Sequence, residues 1–196
     1  VAMTTSRLRI EIAAAIGGGL LLGYLCFLTF GAPTLAPLAV AMAWRTRRLR
    51  WLAPALAGVG AVVGLFALGG YWWLHGLSRT RYFYRIGTAQ FRPGFYFFFA
   101  NLAVLAIALG PAALAGLLRL ARSPLAVLVA GGLASALVAD ASGLSKAETE
   151  RIWLLYMPWI GLAAGALWTD GRRVYIWLGA QATAAIVLQA ILISKW

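Results

Sequence analysis

The chain has 196 residues, 63% of them hydrophobic and only 11% charged, with a mean hydropathy of +0.85. A soluble globular domain has an apolar share nearer ~45–50%, so that class is excluded and the composition predicts an all-α, polytopic transmembrane helical bundle. The net charge of +12 then reflects membrane topology and contact with anionic lipid, and no nucleic-acid partner is expected.

Between the charge clusters lie apolar runs of the ~20 residues needed to cross ~30 Å of hydrocarbon. About seven segments result, at roughly 9–30, 32–44, 51–75, 95–118, 124–140, 151–169 and 173–193. Together they read as one transmembrane helical domain, 1–196, with no soluble domain. The opening "VAMTTSRLRIEIAAAIGGGLLLGYL" has no small-x-small site followed by a polar region, so it reads as a first crossing and not as a cleaved leader. Valine at position 1 fits a non-ATG start or a piece of a longer protein.

Cys26 is the single cysteine and His75 the single histidine, so neither an internal disulfide nor a Cys/His metal site is supported. No metal-binding residue and no cofactor are expected, with use of a divalent metal left open. The second segment holds Pro33 and Pro37 and predicts a kinked or half-length helix. Small residues three or four apart in "IGGGLLLG", "GVGAVVG", "GGLAS" and "GLAAGALW" predict close helix packing.

Orientation follows from the basic residues. With the N-terminus in the cytoplasm, Arg7, Arg9, the "RTRRLR" cluster (Arg45, Arg47, Arg48, Arg50), Arg119, Arg122, Arg172 and Arg173 fall inside. That places ten basic residues inside against seven outside, in the direction the positive-inside rule requires. The loops 76–94 and 141–150 are then extracytoplasmic, in a multi-pass protein of the cell membrane.

The first of these loops, "HGLSRTRYFYRIGTAQFRPG", carries Arg79, Arg81, Arg85 and Arg92 on the face that should be poor in positive charge. Arg81 and Arg85 share a face in a helical turn, with Arg92 able to close on them from beyond Gly87. Two readings stand side by side. One is a phosphate clamp with Tyr82, Phe83, Tyr84 and Phe91 at the headgroup level; the other is an interfacial amphipathic anchor. Asn101, two turns into the next segment, predicts an interhelical hydrogen bond, because a buried amide in lipid needs a partner.

The second loop runs through "SGLSKAETERIWLLYMPWIGL". Ser145 and Glu148 have capping-box spacing, and Glu148 and Glu150 suit the positive end of a helix starting near 147. Glu148 and Arg151 can pair on one face, while Glu150 points elsewhere. Alternatively, Lys146 and Arg151 meet a phosphate, with the carboxylates orienting them or binding sugar hydroxyls or a metal. Positive side chains from the two exterior loops are expected to converge on one anionic headgroup.

The block "RIWLLYMPWIGLAAG", entered from a charged extracytoplasmic link, resembles the late "K…RY-L-L-P-L-x-P-A-L" signature of GT-C superfamily membrane glycosyltransferases. The types in question are the protein O-mannosyltransferases and aminoarabinose transferases. It is similar also to their actinobacterial relatives, where "E-x-E-R-I-W-L" precedes the proline helix. "GTAQFRPGFYFFFANLA" resembles their upstream "G-x-A-x-x-R-P-x-x-Y-F" block, and the likeness covers roughly residues 79–168.

The resemblance implies transfer of a sugar from a polyprenyl-phosphate donor to an extracytoplasmic acceptor. It marks Arg85, Arg92, Lys146, Glu150 and Arg151 as substrate-binding positions, to which Arg81 is added from its place in the same loop. Such enzymes hold their catalytic carboxylate in an early extracytoplasmic loop. Here Glu11 is the only acidic residue before Asp140, so the chain resembles the C-terminal portion, and Asp140 and Glu148 are weak catalytic candidates. The rival is a non-catalytic lipid-binding or scaffold protein. A transporter is disfavoured because no segment centre holds an ionisable group; Gln181 and Gln189 come nearest.

Overall fold

A computed structural model describes residues 2–147, 149–167 and 171–191; side chains are described from position 7 onward, except at 88, 122, 150, 171 and 172. All regular structure among these residues is helical, and the chain divides into two compact units, Val1–Pro93 and Gly94–Trp196. Four helical stretches are long and apolar enough to cross a membrane: Arg7–Leu28, Leu49–Leu68, Gly94–Leu117 and Arg173–Ile191. Ala126–Ala141 and Met157–Leu167 are shorter apolar helical stretches.

The first unit is built on α1 (Ala2–Leu28) and α3 (Leu52–Leu68). Gly19 lies against the Ala55 backbone, Gly58 against Ile16 to Leu20, and Gly23 against Val59 and Val62. These contacts advance together along both helices, so α1 and α3 run parallel. The glycines are what allow their backbones to meet, as the small-residue pattern predicts. Phe27 stacks on Phe66 at a centroid distance of 4.0 Å and closes the far end.

Parallel neighbours need a return path, and the expected half-length segment supplies it. A 3-10 turn at Ala32–Leu35 leads into α2 (Ala36–Arg45), with prolines at the first turn of each. A loose pair, Arg50 to Glu11 at 3.8 Å, ties the arginine cluster to the N-terminal end of α1. The third predicted segment ends early, at Leu68 instead of residue 75. Tyr71 N–H returns to Phe66 C=O and Gly70 N–H to Ala67 C=O. Gly70 takes the left-handed conformation (φ 87°) that this helix stop requires. The adjacent glycines 69 and 70 were the available signal.

The second unit is organised around α5 (Gly94–Leu117), which breaks at Gly110 (φ 75°, ψ 175°) and Pro111. Helix α6 (Ala126–Ala141) returns antiparallel: Asp140 bonds to Asn101, while Leu125 approaches Gly165 and Gly132 approaches Trp159 and Ile160. The sixth predicted segment, 151–169, is a ladder of short pieces and not one helix. α7 (Thr149–Ile152) passes into a 3-10 turn at Trp153–Leu155, then α8 (Met157–Gly161), then 3-10 turns at Leu162–Leu167. Pro158 sits in the first turn of α8, where its missing N–H costs nothing.

The ladder holds together through one apolar stripe. Trp153, Tyr156, Ile160, Ala163 and Leu167, spaced three and four apart, are all buried, and Gly116 of α5 touches the Ala163 backbone. Irregular backbone of this kind is tolerated in a membrane where protein covers it. The final helix, α9 (Gly171–Ile191), lies against α5.

Candidate functional site

The polar centre of the second unit lies where the N-terminal part of α5, the C-terminal end of α6 and the link 142–147 meet. Asn101, 2% exposed, is its hub. Its Nδ2 donates to Asp140 Oδ1 (2.8 Å) and to the Ser145 carbonyl (3.2 Å), and its Oδ1 accepts from the Ala147 N–H (3.3 Å). One amide thus holds the backbone on both sides of Lys146. Ala147 adopts φ 62°, a strained conformation for a residue with a Cβ, and its bonded N–H helps to keep it there.

With its backbone so held, Lys146 carries its ammonium back over Gly94, 3.8 Å from where a side chain there would begin. Gly94 is the first residue of α5, two turns before Asn101. The first N–H groups of a helix have no partner within it, and their dipoles make that end positive. The Lys146 charge adds to the same field, and the sum favours an anion. Phe95, Tyr96 and Phe99 are exposed beside it, suited to the level of lipid headgroups.

The capping-box expectation is corrected. Helix α7 starts at Thr149, four residues after Ser145, because Gly143 (φ 69°) and Ala147 keep the link non-helical. Ser145 Oγ instead accepts from the buried Trp153 indole N–H at 3.2 Å. Asp140, 7% exposed, spends one carboxylate oxygen on Asn101. Arg151 is exposed on α7, whereas Glu148 and the Glu150 side chain lie outside the described residues.

The remaining predicted positions belong to the first unit. The loop read at 76–94 is mostly a helix, α4 (Trp73–Ile86), on which Arg79, Arg81 and Arg85 are exposed and Arg81 and Arg85 stand one turn apart, as expected. Trp73 Nε1 donates to the Cys26 carbonyl at 2.8 Å, capping an orphan group at the end of α1 and fixing where α4 begins. Gly87 ends α4, a 3-10 turn follows at Thr88–Phe91, and Arg92 is extended and half-buried. Lys146 and Arg151 therefore lie in one unit, and Arg81, Arg85 and Arg92 in the other.

Gln181 does something the sequence reading missed. Its Nε2 donates to Leu109 C=O at 3.0 Å and its Oε1 accepts from Ala112 N–H at 3.2 Å. These are backbone groups freed by the break at Gly110 and Pro111. The "LGP" triplet inside an apolar run was the signal, since freed backbone groups in lipid need outside partners. Beside this repair is an apolar cavity of about 480 Å³ lined by Leu109, Ala112, Trp177 and Leu178 among others. It lies about 12 Å or more along α5 from Asn101, away from the polar centre.

No protein-family model matches the chain, and no match occurs among curated proteins or solved structures.

Proposed function

We propose that the chain is a multi-pass protein of the cell membrane that binds a polyprenyl-phosphate-linked sugar at its extracytoplasmic side. In this reading it acts as the C-terminal portion of a GT-C-type glycosyltransferase. The observation that carries the reading is Lys146, held by the Asn101 amide so that its ammonium stands over the first residue of α5. A charged phosphate oxygen at that end meets both the ammonium and the helix's positive end. Arg151 and Glu150 on α7, and Arg81, Arg85 and Arg92 on and after α4, are assigned to the same class of ligand.

Seven crossings with a cytoplasmic N-terminus accompany this reading. Support comes from the parallel course of α1 and α3, which requires the α2 stretch to carry the chain back across the same depth. The Glu11–Arg50 pair puts the arginine cluster at the N-terminal end of α1, as a cytoplasmic location for both demands. In the second unit, Arg119 follows the C-terminal end of α5, opposite the end that carries Lys146.

The test is binding of a polyprenyl-phosphate sugar to the protein in nanodiscs. A charge-assisted hydrogen bond contributes about 1.5–3 kcal/mol, so Lys146→Ala weakens binding roughly ten- to a hundredfold. Arg85→Ala and Arg151→Ala weaken it less, all three without loss of thermal stability. Undiminished binding in all three removes the reading.

Burial of Asp140 favours a second version, a lipid-binding protein without catalysis. Its carboxylate is nearly inaccessible and half committed to Asn101, a poor arrangement for taking a proton from an acceptor hydroxyl. Donor binding without sugar transfer, in the intact chain, selects that version.

A further inference from the structure

We infer that the first unit holds an anionic glycerophospholipid, with one acyl chain in the cavity between α1, α2 and α3 and the phosphate at Arg47, Arg48 and Arg50. The cavity measures about 350 Å³ and is lined by apolar groups, among them Leu22 and Cys26 of α1, Ala36 and Ala39 of α2, and Ala55 and Val59 of α3. It exists because α2 meets its neighbours chiefly at its ends, through residues 32–35 and a 3-10 turn at Leu49–Trp51. Leu56 also lines it and is 67% exposed, so the cavity has an open side. Apolar cavities stay dry and take up apolar molecules, and in a membrane the apolar molecule at hand is a lipid chain.

The depth of the cavity suits such a chain. Its lining on α3 runs from Leu52 to Val63, about 16 Å along the helix axis. That is close to half of the ~30 Å of hydrocarbon, the depth of one leaflet. The Leu52 end adjoins the arginine cluster. Arg50 and Arg48 precede Leu52 by two and four residues, and the turn that carries Arg50 touches α1, α2 and α3 alike.

The first unit cannot neutralise this charge itself. Residues 1–93 contain ten arginines and a single acidic residue, Glu11. Glu11 reaches Arg50 only loosely, at 3.8 Å, and Arg47 and Arg48 are exposed. Arg47 also ends α2 in the left-handed conformation (φ 54°), with the Arg48 N–H returning to Ala43 C=O. Glycine ordinarily takes that place, and strain kept at a cationic residue points to a use for it. The Trp51 indole N–H is buried without an acceptor. It can only donate, so its unmet demand has the same sign. Guanidinium forks match phosphate oxygens, and basic pockets between membrane helices take anionic headgroups. The site uses none of the residues assigned to the sugar phosphate.

The experiment is thermal unfolding of the detergent-purified chain titrated with dioleoyl phosphatidylglycerol, dioleoyl phosphatidylcholine or glycerol 3-phosphate. Phosphatidylglycerol at a hundredfold excess over its Kd raises Tm by roughly 5 °C, saturably. Phosphatidylcholine, with the same chains, and glycerol 3-phosphate, with none, leave Tm unchanged. Ala39→Phe, which fills the cavity, abolishes the effect, and Arg48→Gln combined with Arg50→Gln moves its midpoint to roughly tenfold higher lipid. Equal curves for the two lipids overturn the inference, as does a glycerol 3-phosphate effect as large as the lipid's. A phosphatidylglycerol effect that survives Ala39→Phe reports surface charge pairing alone and overturns it too. A Tm that rises with protein concentration, and loses that dependence in Ala39→Phe, assigns the cavity to a second copy and overturns it. If Ala39→Phe cannot be recovered folded, the arginine pair decides, and an unchanged midpoint overturns the inference.

Discussion

Two amide side chains do at residue scale what peptide groups do elsewhere in a helix bundle. Asn101 was legible in the sequence, because an amide within an apolar run must find a partner, although which groups it grips depends on a link 44 residues away. Gln181 was not, because its partners exist only after Gly110 and Pro111 break α5, and the break is 72 residues distant from it in sequence. Replacing Gln181 by Leu leaves a carbonyl and an N–H unsatisfied, at a cost of about 2 kcal/mol. Thermal unfolding in detergent should show the lower Tm. Gln189→Leu, exposed on the same helix, should change it little. Asn101→Leu should release the link, so that Lys146→Ala made in that background weakens donor binding further by less than twofold, as a double-mutant cycle would show.

Among the elements, those shaped by side chains of their own were readable. The half-length α2 follows from Pro33 and Pro37, and the close approach of α1 and α3 follows from the glycine spacing. Introducing a side chain where two backbones touch is therefore the sharpest disruption. Gly58→Leu, against Ile16 and Gly19, should separate α1 from α3 and cost several kcal/mol, by the overpacking mechanism. Gly60→Leu, with open space around it, should be tolerated, and protease resistance of the folded protein distinguishes the two. The ladder between Thr149 and Leu167 was not readable as broken. From Ile152 onward its sequence is apolar with a single proline, and the 3-10 turns reflect how Trp153, Tyr156 and Ile160 fill the space beside α5 and α6.

For the molecule as a whole, composition fixed the class and the distribution of arginine suggested the topology, and the division after Pro93 coincides with the end of the loop read at 76–94. That boundary falls inside "FRPGFYFFF", where Arg92, Pro93 and Gly94 close the polar loop and the aromatic run opens α5; that the packing divides there is read from the contacts. Sidedness is open to a direct check. With Cys26 replaced by Ala, a cysteine at position 88 should react with an impermeant thiol reagent in intact cells, and one at position 46 only after permeabilisation. The most direct trial of the account is covalent mapping with a photoactivatable polyprenyl-phosphate probe on the membrane-embedded protein. Crosslinks should concentrate at residues 94–99 and 142–151 and fall sharply in Lys146→Ala. Crosslinks confined to the arginine cluster at 45–50, or indifferent to Lys146, would contradict it.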